Sequence, residues 1–185
     1  SKAYKSYHNA LRLEELGIST PKPIALIEFF EAGLLGESFF IAEYFQYDFT
    51  IRTPLLEPLD DREEIFKAFA AYTYDLHKCG VWHLDYSPGN ILIKRTEEGY
   101  QFSIVDINRM DFGPITAMQG CENFNKLWAD DEEIEIMGRE YARLSGLDES
   151  VVIAEMKRHN DANKQVKNFK KRLKNLLKGD LSTPV

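Results

Sequence analysis

The sequence predicts an α+β fold in which one helix and two antiparallel strands precede a mostly helical body. A helical pattern over residues 3–16 and two runs rich in Ile, Phe and Tyr predict the first part, and amphipathic helical patterns predict the second. The chain has 185 residues, of which 44% are hydrophobic and 29% charged. This length allows a sizeable core, and the composition excludes a disordered or fibrous chain.

The first element is a helix over Ala3–Leu16. Tyr7, Leu11 and Leu16 supply its apolar side chains, and Gly17 follows as a C-cap.

Two strands are predicted after this helix. Pro21 and Pro23 first require extended backbone. The runs Ile24–Phe30 and Ser38–Phe45 have high β-propensity and flank the turn-like stretch Ala32–Gly36. This pattern predicts an antiparallel pair.

A strong helix is predicted after the polar, proline-containing segment Asp48–Asp61. Asp60 or Asp61 can serve as its N-cap, the first turn is acidic, and Gly80 ends it. One apolar stripe recurs at spacings of 4, 3 and 4 residues, formed by Ile65, Phe69, Tyr72 and Leu76.

A β-hairpin and further helices complete the predicted body. The hairpin has strands Asn90–Lys94 and Tyr100–Val105 around a Glu-Glu-Gly turn. The acidic run Asp130–Glu135 fits a helix N-terminus, where negative charge is favourable. The predicted helical pieces are a short one near Glu122–Trp128, then Asp131–Leu144, and a long helix from about Asp148 to Leu177.

Polar residues at the two ends of this hairpin predict phosphoryl-transfer chemistry. Asp85, on the loop before the hairpin, can orient a hydroxyl group and accept its proton. Asn90 and Asp106 offer oxygen ligands for Mg²⁺, and the hairpin returns both to one edge of the sheet. Phosphoryl transfer needs mainly positioning and cations that neutralise the phosphate oxygens.

The motif His-x-Asp-x4-Asn over 83–90, followed by a hydrophobic residue and Asp106, resembles the catalytic and metal loops of the protein-kinase-like superfamily. The resemblance implies a protein-kinase-like fold with ATP as co-substrate and Mg²⁺ as the metal. It also implies that Phe40–Phe45 is the last N-lobe strand and hinge, where the Glu43 carbonyl and the Phe45 N–H bind adenine beside the gatekeeper Ala42.

Within the superfamily, the chain is similar over about Ala3–Trp128 to lipopolysaccharide core kinases of the Kdo/WaaP type. The motifs that carry this similarity are Ser87-Pro88-Gly89-Asn90, Asp106-Ile107-Asn108-Arg109 and the stretches 17–23 and 123–127. It implies a bacterial enzyme that moves the ATP γ-phosphate to a sugar hydroxyl of a lipid-linked saccharide. Such an enzyme is expected in the cytoplasm or on the inner face of the cytoplasmic membrane.

The N-lobe is expected to be truncated. The glycine-rich loop and strand lysine of the superfamily have no counterpart, so residues 1–47 are expected to form a partial N-lobe with the hinge, and 48–185 the C-lobe. The first helix takes the place of the αC helix, with His8 or Asn9 where the family has a glutamate. We therefore expect weak Mg-nucleotide binding, by a shortened form of a longer protein or by a natural variant with a reduced N-lobe.

Two other functions stay open on the sequence. One is a small-molecule or protein kinase of the same superfamily, which the shared catalytic motif permits. The other is a catalytically inactive pseudokinase that acts as a binding scaffold. The intact motif residues favour an enzyme, and the missing phosphate-binding elements favour the scaffold.

Several side chains near the motifs have alternative roles. His83 is expected to support the loop through hydrogen bonds rather than to transfer protons. Ser87 contacts the phosphate or shapes the turn, and Arg109 contacts the loop carboxylates, a substrate phosphate or only solvent. Cys79 and Cys121 have no metal-ligand spacing, and we expect both to be buried and unreactive.

The net charge of −7 is unevenly distributed. Residues 164–178 contain seven basic and no acidic side chains, which leaves 16 basic and 30 acidic ones elsewhere. The segment either packs as a last helix with a solvated basic face or contacts an anionic membrane surface or glycolipid. The apolar stripe that would pack consists of Val166, Phe169, Leu173 and Leu176. The acidic balance predicts no nucleic-acid partner, and no apolar run is long enough to span a bilayer.

Overall fold

In the computed structural model, residues 1–177 are described, with the side chains of 171 and 173–177 excepted. This part of the chain forms six α-helices and three small antiparallel sheets. The helices are α1 (Lys2–Glu15), α2 (Arg52–Leu56), α3 (Arg62–Lys78), α4 (Ala117–Gly120), α5 (Asp131–Ser145) and α6 (Glu149–Leu177). The strands are β1 (Pro23–Glu31), β2 (Leu34–Ala42), β3 (Phe49–Thr50), β4 (Val81–His83), β5 (Ile91–Thr96), β6 (Gly99–Ile104) and β7 (Met110–Phe112).

Helix α1 forms as predicted, and its buried residues are not the apolar side chains named from the sequence. Ala3, Ala10 and Leu13 are the buried residues of this helix, whereas Leu16 is 38% exposed. The helix packs against both strands of the first sheet. Two of the three buried residues are alanines, and their small side chains let the helix approach its neighbours closely.

The first sheet is the predicted antiparallel pair, with longer strands and a tighter turn. Ala32 and Gly33 form the turn with φ values of 49° and 79°, which is the left-handed geometry that suits a two-residue hairpin. Strand β2 therefore begins at Leu34 and ends at Ala42, so Glu43 and Phe45 follow the strand rather than belong to it.

The second sheet contains the predicted hairpin. Strands β5 and β6 pair from Ile91 opposite Ile104 to Thr96 opposite Gly99. The short strand β3 adds to this sheet beside β5. The polar segment 48–61, for which no element was predicted, contains β3 and α2. Both elements are too short to produce a readable hydrophobic period.

The helical body follows the predicted elements closely. The stripe on α3 is confirmed, because Ile65, Phe69 and Leu76 are fully buried. Asp61 precedes α3 as predicted, but its carboxylate accepts hydrogen bonds from Arg95 and Tyr100 instead of capping the helix. The Tyr100 hydroxyl and Arg95 thereby hold the pKa of Asp61 below its ordinary value.

Helix α5 begins with the predicted acidic run. Asp130 and Glu133 form a reciprocal capping box, which satisfies two backbone N–H groups at the helix start. Glu133 also pairs with Arg62 of α3, so the same residue joins two helices. Its burial raises the pKa of Glu133 above the ordinary value.

Two expectations about exposed residues were wrong. Cys121 is buried as predicted, but Cys79 is exposed at the end of α3. On α6, Val166 and Phe169 are 52% and 67% exposed, so the packed-helix hypothesis fails at these two positions. The side chains of Leu173 and Leu176, which belong to the same predicted stripe, lie outside the described residues. Across the described part of the chain, no helix is both long and apolar enough to cross a membrane.

A buried chain of polar side chains connects α5 to the loop after β4. The Tyr141 hydroxyl lies 2.7 Å from His77 Nδ1, and His77 Nε2 lies 3.2 Å from Asn123 Oδ1. Asn123 Nδ2 then donates to the His83 carbonyl at 3.0 Å. Because Asn123 Oδ1 is an acceptor, His77 carries its proton on Nε2 and accepts from Tyr141.

Gly120 makes room for this chain. A Cβ at this position would overlap the Tyr141 hydroxyl and lie 2.5 Å from His77 Nδ1. Any side chain here would therefore displace two buried polar groups from their partners, which costs about 1–3 kcal/mol per unpaired group.

We expect Gly120→Ala to lower the free energy of unfolding by about 2 kcal/mol or more, because the new methyl group displaces His77 and Tyr141. Urea denaturation measures this change. Gly113→Ala is the matched control, since a Cβ at Gly113 meets no atom within 4 Å. Equal stability of Gly120→Ala and Gly113→Ala would contradict the close packing described.

Candidate active site

The loop between β4 and β5 holds Asp85 in a tight local hydrogen-bond pattern. Ser87 N–H donates to the Asp85 carbonyl at 2.7 Å, and Asn90 N–H donates to the Ser87 carbonyl at 2.9 Å. The Asn90 side chain also donates through Nδ2 to the Asp85 carbonyl at 2.8 Å. These bonds orient the Asn90 amide and leave the Asp85 carboxylate half-buried at the surface.

His83 connects this loop to the one that carries Asp106. Its Nε2 donates to the Val105 carbonyl at 3.0 Å, and its Nδ1 accepts from the Asp85 N–H at 3.0 Å. Both contacts require a neutral ring, because a protonated Nδ1 would face the Asp85 N–H. Burial lowers the pKa of His83, which favours that neutral form.

The hairpin brings Asn90 next to residues 105–109, which we call the metal loop because the sequence predicts a metal ligand at Asp106. Val105 N–H donates to the Asn90 carbonyl at 2.9 Å, and Asp106 follows directly. Asp106 has a φ of 54°, a left-handed conformation that is uncommon for residues other than glycine. Asn108 donates to Asp106 Oδ1.

The donor set here fits a divalent cation that prefers oxygen. The Asn90 amide offers Oδ1 because its Nδ2 is already engaged, and the exposed Asp106 offers Oδ2. Mg²⁺ is commonly held by one or two protein oxygens together with waters and substrate phosphates. Among the described residues no group of three or more His, Cys, Asp or Glu side chains could hold a metal, so a site here depends on this amide and carboxylate pair.

Lys126 is a site residue that the sequence reasoning missed. Its Nζ lies 3.3 Å from Asp85 Oδ1 and donates to the Leu84 carbonyl. The lysine comes from the 3₁₀ helix Cys121–Lys126, 41 positions after Asp85. The sequence contains one signal for such a residue. Ser87 occupies the position where Ser/Thr kinases have a lysine, so a cation near Asp85 has to come from another part of the chain.

The hinge candidates follow the end of β2. Glu43 N–H donates to the Lys22 carbonyl at 2.9 Å. The Glu43 carbonyl and the Phe45 N–H make no backbone hydrogen bond to any described residue. Both groups are therefore available to a ligand at the position predicted for adenine.

Helix α1 contacts the metal loop through Asn9. Its Nδ2 donates to the Ile107 carbonyl at 2.6 Å, directly after Asp106. His8, the other candidate for this position, is exposed and packs against Tyr4 with the two rings tilted by 45°. Asn9 therefore joins α1 to the metal loop through a neutral hydrogen bond.

Arg109 contributes its backbone to the site. Its carbonyl accepts from Leu84 N–H at 3.0 Å, next to the pairing of β4 with β7. Its side chain is exposed and makes no polar contact with any described residue. The contact with the loop carboxylates is therefore not formed among the described residues, and the contact with a substrate phosphate stays a prediction.

The fold and the loop geometry define a protein-kinase-like protein. The chain belongs to the lipopolysaccharide kinase (Kdo/WaaP) family, whose model matches residues 2–146. The solved structure of WaaP in complex with acyl carrier protein is similar, with a TM-score of 0.64 and 19% sequence identity. The match covers 87% of this chain and 76% of that one.

More distant kinase structures also match. The Rio2 kinase in an ADP/Mg²⁺-phosphoaspartate complex from Chaetomium thermophilum has 17% identity and a TM-score of 0.47, covering 97% of this chain and 52% of that one. The yeast RNA Pol II CTD kinase CTDK-1 complex has 15% identity and a TM-score of 0.37, covering 80% and 55%. A comparison with curated proteins gives no match.

The buried His77 should make the stability of the protein depend on pH. Burial lowers the pKa of His77 from 6.5 to about 4. The unfolded chain therefore binds the proton more tightly, and stability that is complete above pH 6.5 is lost as the pH falls towards 4. Between pH 7 and pH 4 this one histidine should account for a loss of about 3 kcal/mol.

Urea denaturation at pH 7 and pH 4 of the wild type and His77→Gln measures this contribution. The loss between the two pH values should be smaller in His77→Gln, because glutamine does not titrate. His8→Gln, at an exposed site, is the control and should keep the wild-type loss. An equal loss in all three proteins would contradict the account.

Proposed function

We propose that this protein transfers the γ-phosphate of ATP to a sugar hydroxyl of a lipid-linked saccharide. One observation supports the proposal most strongly. In a chain of the Kdo/WaaP family, one hairpin and its hydrogen bonds connect Asp85, Asn90 and Asp106. In the reaction the acceptor oxygen bonds to the γ-phosphorus, the bond from that phosphorus to the β,γ-bridging oxygen breaks, and ADP leaves.

Asp85 orients the acceptor hydroxyl and accepts its proton in this proposal. Its backbone is fixed by His83 and by the Asn90 side chain, so the carboxylate is held on a rigid loop. Lys126 keeps a positive charge beside Asp85, where it can stabilise the transferring phosphoryl group. Ser87 lies on the same loop and would contact that group.

Asn90 and Asp106 would hold Mg²⁺, which neutralises phosphate charge when bound. The Glu43 carbonyl and the Phe45 N–H would bind adenine. In this arrangement residues 1–47 act as the N-lobe side and hinge, and residues from 48 onward as the C-lobe. Asn9 connects the two parts by its hydrogen bond to the metal loop.

The test of this function follows the γ-phosphate of labelled ATP into lipopolysaccharide. Asp85→Asn should lower kcat at least about 100-fold because the proton acceptor is lost. Lys126→Met should lower kcat about tenfold with little change in the KM for ATP, since its charge acts on the transition state. Lys78→Met, an exposed lysine at the end of α3, is the control.

Titration with ATP with and without Mg²⁺ accompanies this assay. Binding should require Mg²⁺ and should be weakened by Asp106→Asn, because the amide removes the negative ligand. Absence of binding at millimolar ATP would contradict the catalytic proposal for this chain. Full activity of Asp85→Asn would contradict the assigned role of Asp85.

The proposal places the protein in the bacterial cytoplasm, in part on the anionic inner face of the cytoplasmic membrane. Residues 164–178 carry seven basic side chains, and Val166 and Phe169 are exposed on α6. Apolar side chains flanked by lysines favour an anionic lipid surface, with each basic residue adding about 1 kcal/mol.

Co-sedimentation with liposomes tests the membrane contact. Anionic vesicles should bind the protein more strongly than neutral vesicles, and more weakly as salt increases. The double variant Val166→Ser, Phe169→Ser should weaken binding, while Val151→Ser, at an exposed site near the start of α6, is the control. Lack of binding at both salt levels would exclude this contact.

A further inference from the structure

A pocket of about 340 Å³ lies on the outer face of the small sheet that β4 and β7 form. Trp82 lies between Val81 and His83, whose side chains are buried, so its own side chain points to the opposite face of the strand. Asp111 is paired directly with Trp82 across the sheet and shares that face. The lining includes none of the residues assigned above to adenine, Mg²⁺ or proton transfer.

The lining combines an apolar wall with two carboxylates. The wall consists of two aromatic and two aliphatic side chains, which are Trp82, Phe112, Pro114 and Ile115. The exposed carboxylates of Asp111, on β7, and Glu122, on the 3₁₀ helix, form no ion pair with any described residue. Among the described residues, no basic side chain lines the pocket. The charge of the lining is therefore negative.

The backbone of the pocket wall adds hydrogen-bond acceptors. Gly113 N–H donates to the Gly80 carbonyl at 2.9 Å, which fixes the start of this segment. The carbonyl groups of Gly113, Pro114 and Ile115 accept no backbone hydrogen bond from any described residue. A ligand that carries several N–H donors and positive charge therefore matches the pocket better than an anion does.

Two arginines lie near the pocket but are engaged elsewhere. Arg12 of α1 lies over the ring of Phe112, 4.2 Å from its centroid. Arg158 of α6, on which the charge of Glu122 acts, pairs with Glu155 at 2.6 Å. Neither arginine forms an ion pair with a carboxylate of the pocket. The negative charge of the pocket is therefore available to a cationic ligand.

Trp82 is held in place by a buried neighbour. Its ring stacks on that of His77, with 5.7 Å between the ring centroids and 23° between the planes. His77 thus packs against one face of the indole, and the other face is left for the pocket. An indole ring is the aromatic side chain that binds cations best, and its surface also contacts CH₂ groups.

A linear diamine matches this arrangement better than a metal ion does. Its two ammonium groups can pair with the two carboxylates, while the CH₂ groups between them lie against the apolar wall. A metal ion would use the carboxylates alone, and no group of three or more His, Cys, Asp or Glu side chains among the described residues could hold one. A volume of about 340 Å³ is also within the range of small-molecule sites.

We propose that this pocket binds a linear alkyl diamine or polyamine. Asp111 and Glu122 each pair with an ammonium group, and Trp82 contacts the CH₂ chain that joins the two. The inference goes beyond the proposed function, because it adds a cationic ligand at a site to which neither the nucleotide nor the saccharide is assigned. It requires no phosphoryl transfer.

Binding is measured without ATP, at a constant ionic strength of about 0.15 M, through the indole N–H resonances in two-dimensional NMR spectra. The sequence contains two tryptophans, Trp82 and Trp128, and Trp128→Phe assigns the two signals. The probes are 1,4-diaminobutane, spermidine, butylamine and 1,4-butanediol. We expect saturable shifts of the Trp82 signal with the first two amines, at least about tenfold weaker binding of butylamine, and no shift with the neutral diol.

Asp111→Asn and Glu122→Gln should each weaken binding of 1,4-diaminobutane about tenfold, because one ammonium group loses its partner charge. Both side chains are exposed, so the variants should fold. Glu97→Gln, at the exposed turn between β5 and β6, removes the same charge away from the pocket and should leave binding unchanged. A general attraction of cations to this acidic protein would instead make the three variants equal.

The inference is overturned if no amine shifts the Trp82 signal, or if Glu97→Gln weakens binding as much as Asp111→Asn does. Equal binding of butylamine and 1,4-diaminobutane would also overturn it, since the pocket would then take single ammonium groups such as the lysine side chains of a protein partner. A protein that transfers no phosphate but binds diamines through Asp111 and Glu122 would retain this inference and lose only the proposed reaction.

Discussion

The site depends on the neutral imidazole of His83, which is hydrogen-bonded on both sides. Nε2 donates to the Val105 carbonyl and Nδ1 accepts from the Asp85 N–H, so one side chain fixes the loop before β5 and the loop after β6 relative to each other. The His83 carbonyl in turn accepts a hydrogen bond from Asn123, the last of the buried polar side chains that are linked to Tyr141. An unpaired buried polar group costs about 1–3 kcal/mol, so this arrangement strongly favours one conformation of the site.

This constraint explains how a small site can be assembled from distant parts of the sequence. The hairpin brings Asn90 to the metal loop, and the buried chain through Asn123 anchors the 3₁₀ helix that carries Lys126 beside Asp85. The loop has Ser87 at the position where Ser/Thr kinases carry a lysine. The cation beside Asp85 is instead Lys126, which comes from another part of the chain. Carboxylates and cations thus meet at one surface of an otherwise acidic protein.

The sequence was most informative where a period extends over several turns. Helices α3 and α5 begin and end, and helix α6 begins, within about two residues of the predicted limits, and the hairpin brings Asn90 beside the loop of Asp106 as expected. Strands of two or three residues produce no period, so β3, β4 and β7 were missed. Lys126 was missed for another reason: its contact with Asp85 spans 41 positions and depends on tertiary packing. The exposure of Val166 was missed for the same reason, because it depends on which face of α6 packs against the rest of the protein.

The most direct test of this account is the protonation state of His83 at pH 7, measured by long-range ¹H–¹⁵N NMR correlation in the intact chain. The account predicts a neutral ring with the proton on Nε2, because Val105 accepts from that nitrogen and the Asp85 N–H occupies the other. A protonated ring, or a neutral ring with its proton on Nδ1, would contradict it, since neither form can join the two loops in this way.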